Sequence, residues 1–466
     1  MNEPHNISRR RVFAGAGLAA LAMALPEGLL AGCDGGSGGG GKDDLSFWID
    51  ITGSANQKYF TQHVVDTFEK AKPNIDLAIT YYNGDQLRQV MPTALQAKSG
   101  PDIVRGLSAS QDLAWANSKL LKDLNPYAPA NGWTSDIAPW SLKPFTVGGK
   151  IYALPMREDT MMLFYNKTLF EHKNWTQPKN RDEFESLAGE AHGQGIIPIG
   201  GTNATYGASS EWLVTVFWNH YAGPDAIYQA LTGKIHWTEP VFVDAIELLQ
   251  SYFKKGWVAG STAKYYSVPQ ATIGAQFGQG QVAMYPNGEW FMPTLSQYFG
   301  KAANNSNDWD WAPLPSLNSG VPYPLFEVGV GGSFGINGAS KNAKAAADFL
   351  RWYYGNRNQA LQRMSAVPAT YNIPIPISGS LPSGMDPREA RLLTSVQDAL
   401  KAGKFGYVTW TWWGPKSDTF VYQGVDKVLN GDMTAKAYCS QLDSIFQGEL
   451  KAGTVPPTLE FAPQQI

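Results

Sequence analysis

Residues 44–52, DLSFWIDIT, alternate apolar and polar positions with the period of two that lets a strand bury one face, and 75–82 does so again. Between them, Gly53-Ser54-Ala55-Asn56 is a polar turn, and the spacing predicts a helix over 57–70. A second helix is expected over 85–97, with Val90, Ala94 and Leu95 on one side. Ser99-Gly100-Pro101 breaks it before a short strand at 102–104. Strand and helix therefore take turns, which argues for a parallel sheet with helices on its faces.

A second block starts near Lys150, where GGKIYALP reads as a strand leading into MREDTMMLFYNKTLF. Helices are expected over 181–192 and 211–221, with an extended piece at 196–199 between them. The clearest helix is TEPVFVDAIELLQSYFKKG, with Thr238 as its N-cap, Pro240 in the first turn and Gly256 just past the end. Its Phe242, Ala245, Ile246, Leu249 and Phe253 share one face, while Asp244, Glu247, Gln250 and Lys254 take the other. A similar helix is expected over 340–355, ending at Gly355. The proline-rich, irregular stretch 313–324 suits a crossing between lobes. No repeat period is present.

The amino terminus follows a different pattern. Ser8-Arg9-Arg10-Arg11 precedes an apolar run over 12–25 that is too short to span and remain in a membrane, which reads as an export signal of the twin-arginine type over residues 1–32. Leu30-Ala31-Gly32-Cys33 resembles a bacterial lipobox, so Cys33 is the expected lipidation site, and residues 33–44 form a glycine-rich tether. An ordinary cleaved signal with an incidental cysteine is the alternative. After residue 33 no apolar run is long enough to cross a bilayer.

Composition narrows the chemistry. The 466 residues carry a formal net charge of −3, which gives no electrostatic footprint for nucleic acid or anionic lipid. Six scattered histidines without H-E-x-x-H or C-x-x-C spacing give no support for a metal site, and no cofactor is expected. Cys439 is read as buried packing. Segment 327–335, EVGVGGSFG, does not follow the dinucleotide-binding pattern, so a nucleotide site is not expected there. With 16 Trp, 21 Tyr and 21 Phe, the open question is how many rings line a cleft rather than a core.

Four segments occur in a telling order: AKSGPDIVR at 97–105, GKIYALPMREDTMMLFYNK at 149–167, FGQGQVAMYPNGEW at 277–290 and GVGGSFGIN at 329–337. Together they resemble family 1 extracellular solute-binding proteins, the maltose-binding-protein-like sugar receptors of bacterial ABC importers, over about residues 45–450. The resemblance implies an α/β, two-lobed periplasmic-binding-protein-like fold of type II, hinged between lobes, with ligand in the interlobe cleft. It implies an N-terminal lobe of 45–155 plus 319–370 and a C-terminal lobe of 156–318 plus 371–466. It also implies a monomer outside the membrane, anchored through Cys33, that is not an enzyme and delivers a sugar or oligosaccharide to membrane permease subunits.

Sugars present hydroxyls around an apolar C–H face, so a selective site needs a stacking ring and oxygen or amide partners. By resemblance the first ligand loop holds Ser54, Asn56 and Gln57, which could equally be a plain helix cap. The next holds Ser108, Ser110 and Gln111, without the Asp-Arg pair of maltose-binding protein. Asp159 matches a ligand carboxylate, whereas Glu158 beside it should face the other way in a strand; an ion pair to Arg157 or Lys167 is the structural alternative. Trp290 resembles the stacking tryptophan, presented after a Pro286-Asn287-Gly288 turn. Tyr206 and Trp212 are weaker candidates of the same type. The aromatic cluster 409–414 is expected to bring a ring to the cleft, with Trp412 and Trp413 as candidates though spacing does not choose among 410–413, and Asp418 could supply another acceptor. The competing function is a secreted glycoside hydrolase, with Glu211, Glu289 and Glu327 as possible acids.

Overall fold

The computed structural model describes residues 43–51, 53–366, 372–377 and 381–464. The export signal, Cys33, residues 33–42 of the tether, Thr52 and the side chain of Asn56 lie outside them, while Asp43 and Asp44 already belong to the first strand. Residues Lys42–Ile466 belong to one compact unit.

Among the described residues, five strands form the first sheet in the order Ile75–Tyr81, Asp43–Ile49, Ile103–Gly106, Ser333–Ile336, Ala153–Pro155. The alternation at its start is realised as expected: Leu45, Phe47 and Ile49 are buried, and Leu45 and Phe47 pair in parallel with Leu77 and Ile79. The sheet is mixed rather than parallel throughout, because Ser333–Ile336 runs antiparallel to both its neighbours. One face carries Phe68, Phe349 and Tyr353 against Phe47 and Phe334. The other carries Leu87, Met91 and Leu95 of helix Gly84–Gln96 against Val104 and Trp115.

A second sheet has the order Trp309–Ala312, Met161–Asn166, Val282–Gly288, Ile197–Ile199. Every residue of Met161–Asn166 is buried, which is why that stretch reads as a continuous apolar run. A third, three-stranded sheet joins Gly406–Tyr407, Glu327–Val330 and Glu158–Asp159. The core of this half includes Trp218, Trp237, Tyr252, Phe277 and Phe446. The protein is therefore a two-lobed α/β fold with a lobe around each main core.

Two connections between the lobes lie side by side. The chain leaves the first sheet after Pro155 and returns to it at Ser333, and the two crossings bond to each other. The Met156 N–H donates to Gly332 O at 2.8 Å, and the Gly331 N–H to Arg157 O at 3.0 Å.

Local chemistry shifts several boundaries. The expected helix over 57–70 begins earlier and runs through Ser54–Phe60, a π-helical turn Thr61–Val65 and Asp66–Ala71. The long helix is Pro240–Lys254, capped at Glu239 rather than Thr238. Pro240 forces the residue before it out of the helical region, and Glu239 is extended at φ −56°, ψ 141°. The expected 340–355 helix is Ala343–Tyr354, since the Ser340 hydroxyl donates instead to Asp102 at 2.6 Å. Pro286, Asn287 and Gly288 are strand, not turn, paired with Leu163, Met162 and Met161. No helix among the described residues is long and apolar enough to cross a membrane.

Candidate functional site

A cavity of about 550 Å³ opens between the lobes, within the range of small-molecule sites. The first lobe contributes Asp50, Asn83, Arg88 and Arg105; the second contributes Tyr206, Glu211, Trp212, Trp290, Trp410 and Asp418. Arg157, Asp159 and Gly331 reach it from the crossings. A larger open groove of about 1020 Å³ lies elsewhere, but Lys72, Asn131, Asp348, Trp352 and Gln359 that line it all come from the first lobe, so it has no opposing wall.

One wall of the cavity is a continuous row of partly exposed rings. Tyr206 stacks on Trp212 with centroids 5.9 Å apart and planes at 27°. Trp212 meets Trp290 at 5.1 Å, and Trp290 meets Trp410 at 5.8 Å nearly edge-on. Trp290 can fold back onto the end of its own strand because residue 288 is glycine: any Cβ there would overlap the indole ring. Its Nε1 is buried with no hydrogen-bond partner among the described residues, as are those of Trp133, Trp140, Trp175, Trp237 and Trp412.

The charged groups come in pairs. Arg157 Nε donates to Asp159 Oδ1 at 2.6 Å and lies 3.4 Å from Glu289 Oε1, while its guanidinium sits 5.2 Å from the Trp290 ring centre. Asp159 Oδ2 also accepts from Trp410 Nε1 at 3.1 Å. Arg105 donates to Asp50 at 2.8 Å and to the carbonyl of Gly106. Arg88 donates to Asp418 at 3.3 Å and to the Tyr206 hydroxyl at 3.0 Å. Two further carboxyls are pushed towards their neutral forms. Burial and then the neighbouring Asp418 raise Glu211, whose Oε1 accepts from Trp413 Nε1 at 2.7 Å. Burial and then Asp159 raise Glu289, against the opposing pull of Arg157. Burial also lifts Asp418 to about 6 despite Arg88, and the Tyr206 phenol to about 12.

Five of the residues anticipated from the sequence line this cavity: Asp159, Tyr206, Trp212, Trp290 and Asp418. Asp159 is also ion-paired to Arg157, so the structural alternative for that residue is present as well. Trp412 and Trp413 must be corrected: both are fully buried, Trp413 packed on Trp237 and Phe446, and Trp410 is the ring of the cluster that reaches the cavity. The 3-10 turn Thr409–Thr411 turns one indole outwards and sends the next two inwards, which composition could not reveal.

Of the two polar loops, Ser54, Gln57, Ser108, Ser110 and Gln111 do not line the cavity. Ser108 and Ser110 are buried, their hydroxyls 3.1 Å apart, and Gln111 Oε1 accepts from the Leu107 N–H. Gln57 turns back to bond Ile51 O, and Ser54 is exposed as the first residue of its helix, whose N-cap is Gly53 with no side-chain cap bond. The side chain of Asn56 lies outside the described residues. Arg88 and Arg105 were missed altogether, and Arg157 was anticipated only as an ion-pair partner of Asp159, because an arginine in a helix or at a strand end looks like a solvated charge until the opposing lobe is in place. Among the described residues no group of three or more His, Cys, Asp or Glu is placed to hold a metal ion.

Two solved structures share the fold. A protein from a study of xylan utilisation by a thermophilic Caldanaerobius polysaccharolyticus superposes with a TM-score of 0.72 at 20% identity, covering 86% of this chain and 99% of that one. A chitin oligosaccharide binding protein gives 0.72 at 20%, covering 87% and 98%. Among curated relatives, an uncharacterised ABC transporter extracellular-binding protein of Pyrococcus horikoshii is 25% identical over 56% of this chain and 59% of its own length. A diacetylchitobiose binding protein of Streptomyces coelicolor is 24% identical over 65% and 62%. The chain thus spans about three fifths of the length of these relatives. Residues 52–360, well over half the chain, match the family model for bacterial extracellular solute-binding proteins, and the chain belongs to that family.

Proposed function

We propose that this protein is the substrate-binding component of an ABC importer, and that it captures a neutral sugar or oligosaccharide between its lobes. The observation that carries this reading is the row of Tyr206, Trp212, Trp290 and Trp410 facing a set of already paired charges. Rings supply a stacking plane for C–H faces, and the pairs supply donors and acceptors for hydroxyls. Asp50, Asp159 and Asp418 each answer one of Arg105, Arg157 and Arg88, and Glu211 is held towards its uncharged form. A ligand carrying a phosphate, carboxylate or ammonium would meet no unbalanced partner, which favours an uncharged polyhydroxylated guest over a sugar phosphate.

The lobes divide, on this reading, at the bonded crossings 156–157 and 331–332, so the second boundary lies later than the 318/319 expected from the sequence. Closure is a hinge movement about that pair, driven by contacts the ligand makes to both walls. Export and lipid anchoring through Cys33 complete the proposal and are supported by the Arg-rich start and the Leu30-Ala31-Gly32-Cys33 motif. The partners are membrane permease subunits.

Thermal shift against a panel of neutral mono- and oligosaccharides, uronic acids and sugar phosphates tests the reading. A neutral saccharide should raise the melting temperature in proportion to RT ln(1 + [L]/Kd) and be recovered intact. Stabilisation only by charged ligands would overturn it, and release of a cleaved product would point to the hydrolase.

A further inference from the structure

Arg88 reaches across the cavity without an intermediary. It stands on helix Gly84–Gln96 of the first lobe, and both groups it bonds belong to the second. Nη1 donates to Asp418 Oδ2 at 3.3 Å, in the first turn of helix Pro415–Asn430, where a carboxylate is favoured by the helix N-terminus. Nη2 donates to the Tyr206 hydroxyl at 3.0 Å. The side chains of Arg88 and Asp418 are 21% and 7% exposed, so the pair is shielded and screened less than a surface ion pair. The start of helix Gly84–Gln96 rests on Tyr206, since a Cβ on Gly84 would lie 3.3 Å from its ring. Tyr206 in turn stacks on Trp212, the next ring in the row.

We propose that Arg88 is a positioning residue that clasps the two lobes directly, through Asp418 and Tyr206, so that the receptor is biased towards its shut form before any ligand contributes. Three consequences follow from the geometry. The clasp sets the orientation of the first ring in the stacking row. A ligand that enters beside Tyr206 must either keep this bridge or replace both of its hydrogen bonds. Its apparent affinity therefore contains the free energy of the bridge, because only the arrangement that matches the guest binds it.

The experiment is small-angle X-ray scattering on the full chain without sugar, with amide hydrogen exchange across the crossings 156–157 and 331–332. Arg88→Ala and Asp418→Asn should each raise the radius of gyration and speed exchange, as the open-to-shut ratio rises roughly tenfold, equivalent to about 1.4 kcal/mol. Tyr206→Phe, which keeps the ring and loses one bond, should give a smaller change. Arg88→Lys, which keeps the charge but not the fork, should restore only part of the wild-type curve. Raising KCl to 1 M should open the unmodified protein in the same direction but by less than either variant, because the pair is shielded, and this arm needs no variant to fold. Scattering and exchange of Arg88→Ala or Asp418→Asn that superimpose on wild type would overturn the proposal. No sugar is present in these measurements, so a wrong ligand class would show in the thermal-shift panel and leave them unaffected.

Discussion

The segment Gly331-Gly332 is where a single methyl group should do the most damage. Gly332 has φ +83°, a region that costs an L-residue about 1–2 kcal/mol. A Cβ added there would overlap Arg105 Nη1 and come within 2.5 Å of the Gly106 carbonyl oxygen, which is backbone and cannot swing aside. Arg105 is only 4% exposed, and moving it breaks its charged hydrogen bonds to Asp50, worth about 1.5–3 kcal/mol. Together these predict that Gly332→Ala loses about 3–5 kcal/mol in urea unfolding, read as a fall in midpoint at nearly constant m. Gly189 provides the calibration. It lies inside helix Arg181–Gly193 with nothing within 4 Å of an added Cβ, so Gly189→Ala should gain about 0.5–1 kcal/mol. A Gly332→Ala loss below about 1 kcal/mol would refute the steric argument and the view that the crossings are packed too tightly for any side chain.

Two further predictions separate binding from folding. Trp410→Ala should weaken sugar binding about tenfold by calorimetry with a modest drop in melting temperature, because its ring is partly exposed at the cavity. Trp412→Ala should instead cost about 3–5 kcal/mol of stability, since that ring is fully buried; equal effects of the two on affinity would contradict the assignment. Asp112 gives a pH test. Its buried carboxyl accepts from Ser333 Oγ at 2.5 Å, and burial lifts it to about 7 against the opposing Ser333 bond and Arg105. A raised acid is protonated in the folded state while the unfolded chain has already ionised, so its contribution is complete below about pH 4 and is lost as pH rises through about 7, at up to about 1.4 kcal/mol per pH unit. Asp112→Asn should flatten stability against pH in that window, and an unchanged slope in urea titrations at pH 5 and pH 8 would refute it.

Strand alternation and helix periodicity are local, and what depended on them was legible. The first strand, the helix beside it and the buried face of Pro240–Lys254 could be read from spacing, because each depends on residues within a few positions of one another, whereas the four ordered segments pointed to the family by resemblance. Trp290 was singled out by its resemblance to the family's stacking tryptophan, and Tyr206 as a ring near a polar stretch. Some boundaries moved where one residue overrode the pattern, as Pro240 did at Glu239 and Asp102 did at Ser340.

What no single segment holds is which of several similar side chains faces the other lobe. Trp410, Trp412 and Trp413 stand within four positions and have the same propensities, yet the turn Thr409–Thr411 sets one against Trp290 and buries the others against Trp237 and Tyr407. Arg88 and Asp418 are 330 residues apart and meet only when two separately built lobes come together. The sequence alone determined the elements, their order and the stock of rings and charges, since those follow from backbone periodicity and composition. The tertiary structure alone decided which of them share one cavity, because burial and charge pairing belong to surfaces brought together from distant parts of the chain.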